Sequence, residues 1–277
     1  MLIYRIKETL DAIVHPLYRL TGRRPFSPGY YTEKRRTIEQ AIDQKYFSDG
    51  SRLPSVYGRS MDERVVEYPW VFAQLPSQAA AVLDAGSAFN HRFLLDRLPF
   101  PSSKLTICTL APEKRCFWGK GISYVFDDLR ASRFASGAFD MVLSVSTIEH
   151  IGLDNEMLYT SDASKRESSP DGYLAAVREF RRVLKPAGVC LITVPFGLAR
   201  NHGWFQVFDE GMVRSVVDAF GPCTFRVDYF GFSSKGWASA PPETLRAASF
   251  FDIHAKKTLD PDRAAGARAV ACIRLVA

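Results

Sequence analysis

The chain has 277 residues, of which 47% are hydrophobic and 24% are charged. These fractions are typical of a globular protein with a full core, so they exclude a disordered or collagen-like chain. The formal net charge of +6 is concentrated in residues 5–45, which contain nine basic and five acidic side chains. This basic segment suits an anionic membrane face or a phosphorylated substrate, or is a solvated helical face. No run of Lys and Arg interleaved with aromatic residues occurs, so nucleic acid is the least favoured partner.

Cysteine usage and apolar stretches bear on location. The five cysteines are scattered without a C-x-x-C pair, which indicates a reducing compartment and neither a disulfide framework nor a zinc site. Residues 1–6 lack the apolar core of a signal peptide, and no stretch approaches roughly 18 uninterrupted apolar residues. We therefore expect a cytoplasmic protein without a transmembrane segment, with peripheral contact to the inner face of a membrane through residues 1–45 as an option. The sequence makes no prediction of the oligomeric state.

Residues 1–58 are predicted to be a helical, basic N-terminal appendage. Apolar side chains recur there at helical spacing: Leu2, Ile3, Ile6, Leu10, Ile13, Val14 and Leu17. This pattern predicts an amphipathic helix that ends near His15 and Pro16, and a second helix is predicted over residues 32–44. The apolar face of the first helix could pack against the core or a partner, or lie on a membrane surface.

Residues 59–277 are predicted to form an α/β domain. A helix is predicted over residues 60–75, with a break at Pro69. Beyond it, apolar runs alternate with helical segments, and the predicted strands are 80–84, 104–109, 122–126, 139–145, 188–194, 222–230 and 268–275. This alternation indicates a mostly parallel sheet covered by helices on both faces. The last two predicted strands flank a loop-rich segment and are expected to form an antiparallel edge pair.

Residues 81–90, AVLDAGSAFN, are the first candidate for a ligand site. An apolar strand ends at Asp84, passes through a turn of small residues and enters a segment predicted to be helical over 89–98. Such a corner brings backbone N–H groups close to a ligand, or is an ordinary strand-to-helix connection. The polar stretch 154–172, after the fourth predicted strand, is a candidate acceptor-binding loop.

Four sequence elements occur in order: VLDAGS, DDL, FDMVLSVSTIEHI and FRRVLKPAGVCLITVP. Together they resemble the class I S-adenosylmethionine-dependent methyltransferases, in particular the type 11-like subgroup with an S-x-S-x-x-E-H-I stretch. The resemblance covers about residues 64 to 232. It implies a Rossmann-like sheet of seven strands with an antiparallel last strand, S-adenosyl-L-methionine as the cofactor, and no metal.

The resemblance also implies which residues bind the cofactor. The matched positions are Asp84, Ala85, Gly86 and Ser87 at its amino-acid part, Asn90 at the helix start, Thr109 after the second strand, Asp128 and Leu129 at the adenine, and Ser144, Val145 and Ser146 beside the sulfonium. The family usually carries Asp or Glu where Thr109 stands, to hold the two ribose hydroxyls. One Thr hydrogen bond in place of two charge-assisted ones is a difference of about 1–3 kcal/mol. Glu113, in the following turn, is a candidate substitute.

Catalytic and acceptor-binding candidates follow the fourth and fifth strands. His150 and Glu149 are the best-placed pair for a general base, because His titrates near neutral pH. Alternatively, His150 caps or orients its loop and Glu149 pairs with a cation. His202 is a further catalytic candidate. The candidates for acceptor binding are Arg64, Tyr68, Trp204, Phe205 and Asp209, of which the aromatic residues could equally be core residues.

We therefore predict an enzyme that transfers a methyl group to an oxygen of a small hydroxylated or glycan-like acceptor. Thr109 keeps a second hypothesis open, a non-catalytic binding or assembly subunit on the same fold. A nicotinamide-dependent oxidoreductase is the third hypothesis. It is disfavoured because G-x-G-x-x-G is absent and Thr109 again stands where an acid would bind a ribose.

Overall fold

A computed structural model describes residues 13–16, 18, 20, 22–49, 52–78, 81–113, 115–158, 162–256 and 258–277. The chain divides into two compact units. The first comprises Met1–Gln74 and Tyr229–Val270, and the second comprises Leu75–Asp228 and Ala271–Ala277. The expected division into residues 1–58 and residues 59–277 stays a prediction. Most of the helix predicted over residues 2–17 lies outside the described residues.

The second unit is built on parallel strands. They are β1 (Val82–Ala85), β2 (Leu105–Thr109), β3 (Ser123–Phe126), β4 (Phe139–Val145) and β5 (Leu184–Pro195). They hydrogen-bond in the order β3-β2-β1-β4-β5, and all the neighbouring pairs are parallel. Every residue of β1 is buried, including Asp84, so the strand lacks the alternation of a half-exposed strand.

The remaining strands complete a Rossmann-like fold. They are a short pair, β6 (Arg200–Asn201) with β7 (Gln206–Val207), then β8 (Thr224–Ser233), β9 (Gly236–Ser239) and β10 (Ala269–Val276). The described strands, without β6 and β7, form one eight-stranded sheet in which β10 follows β5 and precedes β8 and β9. The predicted fold class, a mostly parallel sheet with antiparallel C-terminal strands, is confirmed. The expected count of seven strands was one too few, because the chain after β8 turns back and adds β9 as an antiparallel edge.

The helices are α1 (Tyr30–Asp43), α2 (Arg64–Phe72), α3 (Arg92–Leu95), α4 (Tyr173–Val183) and α5 (Glu210–Phe220). The prediction of a helix over 89–98 was wrong, because only one short turn forms there. The preceding residues are held in a tight turn in which the Asn90 N–H donates to the Ser87 carbonyl at 3.1 Å. His91 is extended, so the helix starts only at Arg92. No helix among the described residues is both long and apolar enough to span a membrane.

The expected break at Pro69 does not occur, since α2 runs through that residue. Proline lacks the N–H that would bond the carbonyl four residues earlier, which here is that of Val65. The Tyr57 hydroxyl donates to the Val65 carbonyl instead, and both groups are buried. The helix therefore keeps this carbonyl satisfied despite the proline.

Candidate functional site

A cavity of about 300 Å³ opens at the carboxyl ends of β1, β2 and β4. In the strand order β3-β2-β1-β4-β5, the chain adds strands outward from β1 on one side and outward from β4 on the other. The topological switch point therefore lies between β1 and β4, and open α/β sheets bind ligands at this point. The lining residues are Gly86, Ser87, Thr109, Leu110, Glu113, Asp127, Asp128, Leu129, Arg130, Ser146, Thr147, His150, Ile151, Gly152, Asn155, Leu158 and Glu167. Its volume lies at the lower end of the range for small-molecule sites.

The turns after β1 and β4 are strained and meet closely. Gly86 has φ 118°, Ser87 has φ 64° and Ser146 has φ 41°. The Gly86 N–H donates to the Cys108 carbonyl at 2.9 Å, which extends the β1–β2 ladder into the turn. A Cβ on Gly86 would lie 2.1 Å from Thr147 Oγ1, so only glycine lets the two turns approach this closely. Such strain is concentrated at ligand sites in proteins.

Asp84 lies behind this turn rather than in the cavity lining. Its side chain is buried, and Oδ2 accepts from the Phe89 N–H at 2.8 Å. In the described part of the chain, Asp84 Oδ1 has no hydrogen-bond partner. Burial raises the pKa of Asp84 to about 7, and the nearby Glu113 charge adds to the rise, while backbone N–H groups oppose it. The carboxyl group fixes the turn and titrates close to neutral pH.

The cavity is rich in carboxylates. Its described lining carries Glu113, Asp127, Asp128 and Glu167 against a single guanidinium, that of Arg130. In a partly enclosed site, this excess of negative charge favours a cationic ligand and opposes a phosphate.

Arg130 connects two of these carboxylates. Its Nη2 lies 2.7 Å from Asp128 Oδ2 and 2.7 Å from Glu167 Oε1, and its Nε lies 3.0 Å from Asp128 Oδ1. Burial raises the pKa of Asp128, but the hydrogen bonds from Arg130 outweigh it and the pKa is below the ordinary value. The same bonds raise the pKa of Arg130. Asp128 and Arg130 therefore stay ionised, and Arg130 ties the loop that carries Glu167 to the cavity wall.

His150 has a defined orientation in the cavity. Its Nδ1 lies 2.8 Å from the Trp204 carbonyl oxygen, which can only accept, so Nδ1 carries the proton. The basic lone pair of the neutral ring is then on Nε2, which lies 4.0 Å from Glu149 Oε1. The His150 ring also stacks on the Trp204 indole, with centroids 5.2 Å apart. These contacts fix the orientation and the tautomer of the imidazole.

The structure brings part of the predicted site together. The predicted cofactor residues that line the cavity are Gly86, Ser87, Thr109, Asp128, Leu129 and Ser146, and those that do not are Asp84, Ala85, Asn90 and Ser144. The buried Ser144 Oγ has no hydrogen-bond partner among the described residues. Glu149 is also buried and does not line the cavity, whereas His150 does.

The predicted acceptor-binding residues are dispersed. His202 and Trp204 line a second cavity of about 400 Å³ with Asp154, Glu156, Met157 and Gly203. Phe205 is buried, and its ring stacks on that of His202 with centroids 4.3 Å apart. Asp209 is the N-cap of α5, since its Oδ1 accepts from the Met212 N–H at 2.8 Å. Arg64 and Tyr68 belong to the other compact unit.

Several lining residues were not predicted from the sequence, above all Arg130, Thr147 and Glu167. Arg130 directly follows the recognised DDL element, so its proximity to Asp128 was a readable signal. Glu167 lies in the polar loop 154–172, but its partner is 37 residues away. No local pattern indicates such a pair.

No family model and no curated protein matches this sequence. Similar solved structures include 1,6-didemethyltoxoflavin-N1-methyltransferase of Burkholderia thailandensis with bound S-adenosylhomocysteine, at 15% identity and TM-score 0.44, covering 90% of each chain. An S-adenosylmethionine-dependent methyltransferase from Thermotoga maritima is 12% identical at TM-score 0.43, covering 87% of this chain and 98% of that one. The [4+2]-cyclase SpnF is 14% identical at TM-score 0.39, covering 71% and 74%. These sequence identities and TM-scores are too low to indicate the ligand or the reaction of this chain.

Proposed function

We propose that this protein is an S-adenosylmethionine-dependent methyltransferase that methylates an oxygen of a small hydroxylated or glycan-like acceptor. The observation that carries the proposal is the carboxylate-rich cavity at the reversal point of the sheet, next to a glycine turn that admits close backbone approach. A ligand with a sulfonium, an ammonium group and an adenosine fits such a lining, because the two cations face excess negative charge.

The residues present suit the parts of this cofactor. The turn of Gly86 and Ser87 would face its amino-acid part, and Asp128 with Leu129 would face the adenine. Ser146 would lie near the sulfonium, at the end of β4. At Gly86 the Thr147 side chain occupies the space that a Cβ would need, so only a glycine backbone fits against it. When bound, S-adenosylmethionine supplies an electrophilic methyl group on sulfur.

The role proposed for His150 follows from its tautomer. The acceptor oxygen would bond to the methyl carbon as the carbon–sulfur bond breaks and S-adenosylhomocysteine leaves, and Nε2 of His150 would accept the hydroxyl proton. The Trp204 carbonyl keeps Nδ1 protonated throughout. Glu149 is proposed to assist as a neighbour of this ring. His202 is proposed to assist from the second cavity, where Trp204 would contact the acceptor and the buried Phe205 would support the His202 ring by stacking on it. Arg64, Tyr68 and Asp209 stay predictions as acceptor-binding residues.

The basic segment of residues 1–45 is proposed to hold the protein at the inner face of a membrane. This part of the proposal rests on the basic composition of the segment. The rival function is a non-catalytic binding module, favoured by Thr109 at the cavity wall. The carboxylates argue against a nicotinamide dinucleotide, whose pyrophosphate they would repel.

Titration of the purified protein with S-adenosylmethionine and S-adenosylhomocysteine, with NAD as the control, tests the proposal. A ligand at about 100 times its Kd adds about 2.7 kcal/mol to the free energy of unfolding, which raises the melting temperature by several degrees. We expect a shift with the first two ligands alone. A shift with none would favour the binding module, and a shift with NAD alone would favour the oxidoreductase.

Asp128→Asn should weaken S-adenosylhomocysteine binding roughly 10- to 100-fold, because an amide gives the adenine amino group a poorer acceptor than a carboxylate. Isothermal calorimetry measures the change in Kd. The matched control is Asp96→Asn, which also removes an ion-paired carboxylate, that with Lys120, but outside the cavity lining. An unchanged Kd in Asp128→Asn would remove the adenine assignment.

A further inference from the structure

We propose that Glu113 supplies the carboxylate that holds the ribose diol of the cofactor, and that Tyr124 and Asn90 position it. This inference rests on the proposed function and deepens it. It assigns the binding of the ribose diol to the loop after β2, because β2 itself ends in Thr109 and not in an acidic residue.

The need for a second group follows from the chemistry of Thr109. Its hydroxyl oxygen is only a neutral acceptor, and the Thr109 carbonyl already accepts from the Asp127 N–H at 3.1 Å. Two vicinal hydroxyls are best bound by one carboxylate that accepts from both, since charge-assisted hydrogen bonds are roughly twice as strong as neutral ones. Thr109 therefore leaves the diol without its best acceptor.

Glu113 lies where such an acceptor is needed. It lines the same cavity as Thr109, and its negative charge contributes to the raised pKa of Asp84, so its carboxylate is near the end of β1. Among the described residues, no hydrogen bond or ion pair engages the Glu113 carboxylate, whereas Asp128 and Glu167 are held by Arg130. Asp127 is in turn paired with Arg133, so Glu113 is the carboxylate of the described lining that has no guanidinium partner.

A hydrogen-bonded connection fixes the segment that follows Glu113. Tyr124 Oη donates to Asn90 Oδ1 at 2.9 Å and accepts from the Phe117 N–H at 2.8 Å. Asn90 Nδ2 donates to the Arg115 carbonyl at 2.8 Å. Asn90 lies in the turn after β1 and Tyr124 lies in β3, so these hydrogen bonds anchor residues 115–117 to the sheet. Asn90 is accordingly a positioning residue for Glu113 rather than a cofactor contact.

The test compares S-adenosylhomocysteine with its 2′,3′-dideoxyribose analogue by calorimetric titration. The wild type should bind the analogue roughly 10- to 100-fold more weakly than S-adenosylhomocysteine, because the analogue lacks both donors. Glu113→Gln should weaken S-adenosylhomocysteine by a similar factor and change the Kd of the analogue less than about threefold. Equal Kd values of wild type and Glu113→Gln for S-adenosylhomocysteine would overturn the assignment while leaving the proposed function intact.

Two further variants separate a specific role from a structural one. Thr109→Asp in the Glu113→Gln background should restore S-adenosylhomocysteine binding, because it returns a carboxylate to the end of β2. Tyr124→Phe should weaken S-adenosylhomocysteine severalfold and leave the analogue unchanged, since only the placement of Glu113 is lost. Equal losses for both ligands in Tyr124→Phe would overturn the positioning role. A wild type that binds neither ligand would overturn the proposed function and, with it, this inference.

Discussion

Gly86→Ala should destabilise the protein by about 3–5 kcal/mol and abolish binding of S-adenosylhomocysteine at millimolar concentration. Two costs combine in this variant. Alanine is strained at φ 118°, and its Cβ would lie 2.1 Å from Thr147 Oγ1 and 2.4 Å from Thr147 Cγ2. Relief of the clash needs the turns after β1 and β4 to separate, and these turns form the wall of the cavity. Urea denaturation and calorimetric titration measure the two effects.

Gly137→Ala is the matched control for this prediction. Gly137 also has a positive φ, 64°, but an added Cβ would meet no atom within 4 Å. This control substitution should lower the free energy of unfolding by only about 1 kcal/mol and leave ligand binding unchanged. Thr147→Ala in the Gly86→Ala background should recover part of the lost stability, because it removes the two closest atoms. Similar stabilities of the Gly86 and Gly137 variants would show that the close approach is unimportant.

Asp84→Asn should remove a decline in stability that the wild type suffers as the pH rises from 5 to 8. The pKa of Asp84 is about 7 in the folded protein against an ordinary value of 3.8, so the folded state binds more protons than the unfolded state between these values. The free energy of unfolding therefore falls with rising pH across this window and levels off above about pH 7. Between pH 5 and pH 8, we expect the wild type to lose about 2–3 kcal/mol more than Asp84→Asn.

Denaturant titrations of both proteins at several pH values check this difference, because the contributions of other groups cancel between them. Asp96→Asn serves as the control. Hydrogen bonding to Lys120 lowers the pKa of that exposed carboxyl, so its removal should not mimic the effect. Parallel pH profiles of the wild type and Asp84→Asn would contradict the raised pKa.

The sheet could be predicted from the sequence because parallel strands buried on both faces are uninterrupted apolar runs. The run of β4, FDMVLSV, was predicted with its observed bounds, Phe139–Val145. The α3 segment was mispredicted because its apolar spacing suits a helix, while the preceding turn and Asp84 hold residues up to His91 in other conformations. Local pattern fails where a tertiary hydrogen bond determines the backbone.

The same distinction applies to the site. Gly86 and Asp128 were found from short motifs, because their surroundings are set by neighbours in the chain. The partners of Arg130 and His150, namely Glu167 and the Trp204 carbonyl, lie 37 and 54 residues away. The fold brings the members of each pair together, and no spacing in the sequence indicates that they are in contact. Asn90 was assigned to the cofactor from its position at a turn, but its hydrogen bonds go to Tyr124 and Arg115.

The contacts of Tyr57 have a consequence for shortened versions of this protein. Its hydroxyl serves the carbonyl that Pro69 leaves unbonded in α2, and its own carbonyl accepts from the Trp237 N–H at 2.8 Å. A truncation that starts at residue 59 would therefore strip partners from two segments that are 170 residues apart in sequence, without touching either one. Tyr57 is thus part of the structural support of both segments, and shortened versions of this chain should begin before it.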